Sequence, residues 1–292
     1  MITAILIIVC ILSSGFTGNI YKKLSDGSHS VSSSALMPSL WFFILGVLFT
    51  VIFAISPSRA SYSLIPVAMV SGACIFLAAF ILIESMKVNS LSISVILINL
   101  NFVFPVILSH IFLSEHARLI QIIGLALSVS VIVILNAIPS SYKKSLSGAI
   151  FIPLAASVAN GLVNFCIKIN GHNGGDENFF FAVMYFTAAI SSVVVWLMLT
   201  IFKKEKIAPK ISTRLLPFIL LMALCNGVCF YMTSLLSLRM DATAQFTIVT
   251  SASILLSITV GVFFQKERLT SKSLMSMLFC AIAILCQCVG TA

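Results

Sequence analysis

Charged residues are scarce in this chain of 292 residues. Aspartate, glutamate, lysine and arginine together make up 9% of the sequence, whereas hydrophobic residues make up 60%. An ordinary soluble domain carries about 25% charged residues, so this composition excludes one. A nucleic-acid-binding surface is excluded as well, because the basic residues are scattered and no soluble domain carries them.

Catalytic and metal-binding motifs are also absent. The sequence contains no H-E-x-x-H, no G-x-S-x-G and no phosphate-binding glycine loop. Its eight cysteines include no C-x-x-C pair, so they indicate neither a zinc site nor a disulfide framework. We therefore predict no catalytic residue, no metal and no cofactor. The first run lacks a basic n-region and an A-x-A-like site, which favours a retained helix over a cleaved signal peptide.

The chain consists mainly of long uncharged runs. A helix needs about 20 apolar residues to span a membrane, and barrel strands would be shorter, about 9–11 residues with alternating polarity. The sequence therefore predicts an all-α membrane protein with ten transmembrane helices, in the inner or plasma membrane. The runs are 1–21, 27–58, 60–83, 88–114, 119–142, 145–167, 178–202, 215–238, 242–265 and 273–292.

The hydropathy pattern repeats within the chain. In the first half, a polar corner with Glu115 separates two uncharged runs. The same arrangement returns 152 residues later around Glu267. Each half then holds five helices, and because five is odd the second half must be inverted. We predict repeats over 1–140 and 145–292, related by a pseudo-two-fold axis in the membrane plane. Such a repeat typically places a binding site near the midplane, where the halves meet.

In each half a lysine ends the first helix and a glutamate stands between the fourth and fifth. In these features the chain resembles the drug/metabolite transporter superfamily, and within it the EamA-like family. The resemblance implies a carrier of amino acids, sugars or related metabolites. It also implies a central cavity lined by the first, third, fourth, sixth, eighth and ninth helices. The matching residues are Lys22, Pro105, Glu115, Gly124, Lys168, Glu267, Arg268 and Leu269.

The orientation of the chain stays open from sequence. The resemblance implies that both termini are cytoplasmic. With that orientation, thirteen of the seventeen basic residues would lie in the outer connections. The positive-inside rule therefore favours both termini outside.

All eight acidic residues lie in or beside the predicted connections. Proton relays and cation sites usually place an acid inside a membrane helix, so this distribution disfavours an organic-cation antiporter. For Glu115 and Glu267, the simpler interpretation is an acid that complements the N-terminal dipole of the following helix. A gating role is the alternative. The acids are Asp26, Glu84, Glu115, Asp176, Glu177, Glu205, Asp241 and Glu267.

A polar stripe on the sixth helix is the strongest candidate for a substrate contact. Ser157, Asn160, Asn164 and Lys168 are spaced three, four and four residues apart, so they share one helix face. Such a stripe is unfavourable against lipid and should face the protein interior or a water-filled cavity. Side-chain amides both donate and accept hydrogen bonds. The alternative is packing, with interhelical hydrogen bonds and a lysine that snorkels to the headgroups.

The first helix carries a smaller counterpart, Ser14, Gly18 and Lys22, which leaves room opposite the asparagines. The two lysines would add positive charge at the stripe ends, which suits a carboxylate. Other predicted contacts are Asn99 and Asn101 on the fourth helix, Asn226 and Tyr231 on the eighth, and Thr250 and Ser253 on the ninth.

The sequence thus favours an exporter or facilitator of a small polar metabolite that works by alternating access between the repeats. An amino acid or a similar zwitterionic or carboxylate-bearing solute fits best. The predicted partners are this small molecule and the lipid bilayer, not nucleic acid, and a homodimer is a further possibility. The alternatives are a multidrug or organic-cation efflux transporter, and a membrane scaffold subunit that transports nothing.

Overall fold

The computed structural model describes residues 2–28, 30–55, 61–88, 98–135, 146–203, 213–264 and 271–291. Within these ranges the chain forms ten α-helices, three short 3₁₀ turns and no strand, so the predicted all-α fold is confirmed for the described residues. The helices are α1 (Ile2–Gly27), α2 (Val31–Ile55), α3 (Ile65–Val88), α4 (Val103–Phe112), α5 (Leu119–Leu135), α6 (Leu146–His172), α7 (Glu177–Lys203), α8 (Leu216–Ser237), α9 (Ala242–Phe264) and α10 (Ser271–Thr291).

Seven of these helices are long and apolar enough to cross a membrane, namely α1, α2, α3, α6, α7, α8 and α10. Shorter apolar segments lie in the other three, at Asn99–Phe112, Leu119–Val131 and Ala242–Leu256. A helix satisfies its backbone hydrogen bonds within the segment, which is what a lipid environment requires. The structure therefore supports a multi-pass membrane protein.

The polar corner between α4 and α5 is a true break in the helix. Ser114 has a φ of 53°, the one positive φ outside glycine among the described residues, and it turns the chain away from α4. The next helix begins with a local cap, since the Gln121 side chain accepts from the Arg118 backbone N–H at 2.8 Å. The corner places Glu115 at one end of the bundle.

The α6–α7 connection is a tight turn at the same end. Gly174 adopts a φ of +64°, a conformation that costs glycine little because it has no Cβ. Asp176 then caps α7 by accepting from the Phe179 backbone N–H at 2.6 Å. An acid at this position also complements the positive end of the helix dipole.

The helices pack in pairs: α2 on α7, α3 on α6, α1 on α8, and α5 on α10. Lipid tails are as apolar as the side chains, so these contacts depend on close van der Waals packing. Aromatic rings fill the α2–α7 interface, where Phe42 and Phe49 stack on Tyr185 with ring centroids 6.1 and 5.7 Å apart. This cluster forms a rigid wall beside the centre of the bundle.

Glycines set the distance at two further interfaces. A Cβ built on Gly161 of α6 would lie 2.7 Å from the Asn101 carbonyl oxygen and 2.7 Å from the Phe104 Cβ. A Cβ on Gly15 of α1 would instead meet the end of the Leu256 side chain at 3.1 Å. The Asn101 carbonyl near Gly161 is backbone and cannot rotate away, whereas the Leu256 side chain near Gly15 is flexible.

We therefore expect Gly161→Ala to destabilise the protein and Gly15→Ala to be nearly neutral. Overpacking of this kind typically costs about 1–3 kcal/mol. The measurement is thermal unfolding of both variants in the same detergent. Equal melting temperatures for the two variants would show that α4 moves freely away from α6.

Candidate functional site

A partly open central cavity of about 170 Å³ lies between the helices. Its walls come from α1, α3, α6, α8 and α9 and from the 3₁₀ turn Asn99–Phe102 that leads into α4. The five helices are among the six that the resemblance to EamA-like carriers names, and the turn leads into the sixth. The cavity is thus built by both halves of the chain.

Side-chain amides form a large share of the polar part of the wall. Five asparagines line the cavity, and among the described lining residues no side chain is charged. Each amide can donate two hydrogen bonds and accept two. The cavity can therefore hold a hydrogen-bonding solute without imposing a net charge on it. The five are Asn99, Asn101, Asn160, Asn164 and Asn226.

Two of these amides come from the polar stripe on α6. Asn164 is 8% exposed and Asn160 is half-buried, and both face the cavity rather than lipid. Gly161 between them allows the turn before α4 to approach closely. The stripe and that turn therefore form one continuous amide surface.

The 3₁₀ turn brings Asn99 and Asn101 to the same cavity. In an α-helix, two residues two positions apart point about 160° apart, on different faces. At three residues per turn the angle falls to about 120°. The tighter turn allows both amides to line the wall.

Small side chains on α1 leave the space that the amides face. Ser14, Gly15 and Gly18 line this side of the cavity. The Ser14 hydroxyl lies 2.8 Å from the Ser253 hydroxyl of α9, and Thr250 lies one turn before Ser253 on the same wall. The predicted hydroxyl contacts on α9 thus belong to the same cavity as the amides.

Asn226 on α8 is an incompletely satisfied amide. The residue is 7% exposed. Its Nδ2 has no hydrogen-bond partner among the described residues. A buried donor without a partner costs about 1–3 kcal/mol, so a polar solute that accepts from Nδ2 would be stabilised here.

The part of the wall that comes from α3 is apolar. Ile75, Ala78 and Leu82 line the cavity at spacings of three and four residues. Phe230 of α8 and Phe246 of α9 add aromatic surface. The cavity is therefore amphipathic, with both amide and hydrocarbon surface.

Three predicted site residues do not line this cavity. Ser157 is buried within α6, and its hydroxyl has no partner among the described residues. Tyr231 points into the aromatic cluster, where its ring lies 5.9 Å from that of Phe49. Lys168 lies in a separate charged cluster. The other seven predicted residues line the cavity.

Lys168 is fully engaged with protein groups. Its Nζ lies 2.9 Å from the Glu115 carboxylate and donates to the backbone carbonyls of Ser237 and Met240 at 3.2 and 2.6 Å. Ser237 is the last residue of α8 and Met240 lies in the turn that follows, and a cation is favourable at the C-terminal end of a helix. The lysine is 3% exposed, so it does not snorkel to the headgroups as the alternative interpretation supposed.

Glu115 does not complement the helix that follows it. Its second carboxylate oxygen accepts from the Ala242 backbone N–H at 2.8 Å, at the start of α9. The sequence predicted that Glu115 would complement the N-terminus of α5, and this prediction is wrong. The corner folds toward the other half of the chain, and Glu115 caps α9 instead. Glu267 lies outside the described residues.

This charged cluster opens onto a polar vestibule of about 550 Å³ at the end of the bundle that holds both chain ends. Thr3 and Thr291 line it together with Arg118, Arg239 and Asp241. The vestibule and the central cavity are separate. The Glu115–Lys168 pair lies in the wall of the vestibule.

Lys22, the counterpart on α1, is more exposed. Its Nζ lies 2.9 Å from Asp26 and donates to the Met86 carbonyl at the end of α3 at 3.2 Å. It is not among the described residues that line the cavity. Neither stripe-end lysine therefore supplies positive charge to the cavity.

The sequence analysis missed several lining residues. Cys229 and Thr233 follow Asn226 on α8 at three and seven residues, which is the spacing of one helix face. Tyr21 follows Gly18 by three residues on α1. Extending each polar stripe along its helix would have found these three. Cys10 lies four residues before Ser14 on the same face of α1, so the same extension would have found it as well.

Comparisons with known proteins bear on the fold only. No family model matches the chain, and no curated protein matches it. Solved structures do match. One, described only as the crystal structure of a protein, superposes with a TM-score of 0.71 at 15% identity, over 99% of this chain and 96% of that one. At this identity the likeness shows that the two chains share a fold.

Proposed function

We propose that this protein is a membrane carrier of small polar solutes, of the EamA-like kind within the drug/metabolite transporter superfamily. Its ten helices all span the membrane and form two inverted repeats. The uncharged, amide-lined cavity between helices of both halves is the observation that carries the proposal. A solute held there would be exposed to one side of the membrane and then to the other.

Helix length supports spans by α5 and α9 in addition to the seven long helices. The 23 residues of α9 extend about 35 Å at about 1.5 Å per residue, and a bilayer core is about 30 Å thick. The 17 residues of α5 extend about 26 Å, which local thinning of the bilayer accommodates. Thr3 and Thr291 line the same vestibule, as an even number of crossings requires.

The lysine contacts support the inverted repeat. Lys22 of α1 donates to the carbonyl of Met86 at the end of α3. Lys168 of α6 donates to the carbonyl of Ser237 at the end of α8. The first helix of each half thus contacts the end of a third helix in the same way. An inverted pseudo-two-fold axis relates the two contacts, which lie at opposite ends of the bundle.

Two glycine contacts independently support the inverted repeat. Gly15 of α1 faces Leu256 of α9, and Gly161 of α6 faces Phe104 of α4. The glycines are 146 residues apart, as are Lys22 and Lys168, and the partners of the glycines are 152 residues apart, as are Glu115 and Glu267. Each contact joins the first helix of one half to the fourth helix of the other.

The cavity favours a solute without net charge. An ion would lose its hydration shell there without meeting an opposite charge among the described lining residues, and this loss is expensive in a membrane interior. A zwitterion such as a neutral amino acid carries no net charge, and the amides provide both donors and acceptors for its two ends. The apolar wall of α3 would receive its side chain.

This substrate class rests on the amides and not on the lysines. Lys168 is paired with Glu115, and Lys22 does not line the cavity. The sequence analysis expected the two lysines to attract a substrate carboxylate. The geometry does not support this expectation. A carboxylate would be bound by amide and hydroxyl donors instead.

The Glu115–Lys168 pair acts as a gate in this proposal. It joins the α4–α5 corner of the first half to α6, α8 and α9 of the second. Opening the cavity toward the face with the chain ends separates these elements. The pair therefore breaks in one half of the transport cycle and forms again in the other.

Organic-cation efflux is the weaker alternative. A lipophilic cation requires a negative group in the cavity, and the described lining contains none. A scaffold subunit that transports nothing has no need for an amide-lined cavity, although it could keep the fold.

Reconstitution tests the proposal. The purified protein in liposomes should take up radiolabelled neutral amino acids faster than protein-free liposomes, and tetraphenylphosphonium should enter both at the same rate. Uptake of the cation alone would favour the efflux alternative. Uptake of neither probe, nor of radiolabelled sugars, would contradict the proposal and favour a scaffold.

A further inference from the structure

Two thiols meet at the wall of the central cavity. The Sγ of Cys10 on α1 lies 3.8 Å from the Sγ of Cys229 on α8, and 3.6 Å from the Thr233 hydroxyl. Both cysteines are among the residues that line the cavity. They are 219 positions apart in the chain, one in each half, so no sequence spacing predicts the pair.

We infer that Cys10 and Cys229 form an oxidation-sensitive site that can be closed to a disulfide. The two sulfur atoms are in van der Waals contact, and a disulfide needs them about 2.05 Å apart. A change of side-chain torsion and a small approach of α1 toward α8 would close this distance. The two helices already pack directly against each other.

Hydrogen peroxide is the oxidant class that suits the position, because it is small and neutral and can enter a cavity without charged groups. One thiol, as its thiolate, attacks a peroxide oxygen and becomes a sulfenic acid, with loss of one water. The second thiol then attacks that sulfur and a second water leaves. The two thiols lose two electrons and two protons in total, and the peroxide is reduced to two waters.

The disulfide would link the two halves of the chain beside the substrate groups. Cys229 lies on the same face of α8 as Asn226 and Thr233, so fixing it to α1 restricts the wall that carries these groups. Under alternating access the halves must move relative to each other. The loss of transport, though not the formation of the bond, therefore rests on the proposed function.

Peroxide treatment of the purified protein, followed by peptide mass spectrometry under non-reducing conditions, tests the site itself. We expect a cross-linked peptide pair that contains Cys10 and Cys229 and has lost two hydrogen atoms, and dithiothreitol should separate it. Cys10→Ser and Cys229→Ser should each prevent the cross-link. Cys225→Ser, one turn away on α8 and not among the described lining residues, should leave it unchanged.

The same samples in liposomes test the consequence. Treated protein should lose most of its amino-acid uptake and regain it with dithiothreitol, while treated Cys229→Ser protein keeps the uptake it had before treatment. Peroxide that leaves the two thiols unlinked would overturn the inference. A cross-link with unchanged uptake would overturn the switch but not the carrier. If untreated protein takes up no solute, the proposed function fails, and the cross-link still decides whether the thiol site exists.

Discussion

Replacing Asn164 by alanine should reduce solute uptake about 5- to 150-fold while the protein still folds. Asn164 is 8% exposed, and its amide lines the cavity on α6. Alanine is the best helix former, so α6 should remain intact. The solute loses a hydrogen-bond partner in the cavity, which costs about 1–3 kcal/mol, or a factor of about 5 to 150 in affinity.

The measurement is the initial rate of amino-acid uptake into liposomes, together with the thermal shift that the solute causes. A ligand that binds only the folded protein raises its melting temperature by mass action, so both readouts should fall together. Asn173→Ala is the matched control. Asn173 is exposed beyond the cavity, and its amide donates to the Ile169 carbonyl at 3.1 Å. Normal uptake by the Asn164 variant would assign this residue to packing.

Replacing Lys168 by methionine should give the largest loss of stability among these substitutions. Methionine keeps much of the side-chain volume but leaves the Glu115 carboxylate without its cation. The lysine and glutamate side chains of the pair are 4% and 17% exposed. Removing one partner of a buried ion pair costs about 3–5 kcal/mol, because the remaining charge is left uncompensated.

A second lysine pair in the chain provides the control. Lys87 lies 2.7 Å from Glu84 within α3, with side chains 24% and 25% exposed. Because this pair is local and more solvated, Lys87→Met should cost only about 0.2–1 kcal/mol. Thermal unfolding in detergent compares the two variants. Similar melting temperatures would contradict a buried role for Lys168.

The double variant Lys168→Met/Glu115→Gln separates charge from packing. Glutamine removes the uncompensated charge and can still accept from the Ala242 backbone N–H. We expect it to recover part of the stability lost in Lys168→Met. If the pair is a gate, the double variant should also transport solute at a rate different from that of the unmodified protein, even when it folds well.

Sequence alone determined the class of the fold and part of the cavity. The scarcity of charge and the length of the uncharged runs require helices in a membrane, because lipid offers no partner for a free backbone group. Regular spacing placed Asn160 and Asn164 on one face of α6, and a face with amides cannot lie against lipid. Helical periodicity therefore predicted a cavity wall without knowledge of the neighbouring helices.

Tertiary structure decided which side chains meet. Lysine has a long, flexible side chain, so spacing fixes the face of Lys168 but not the position of its ammonium group, which packing assigns to Glu115. The 3₁₀ turn that brings Asn99 and Asn101 together departs from the periodicity on which the sequence prediction relied. The Cys10–Cys229 contact joins residues 219 positions apart. Local sequence determines which side chains lie on each helix face. The groups that these side chains contact depend on the packing of helices from distant parts of the chain.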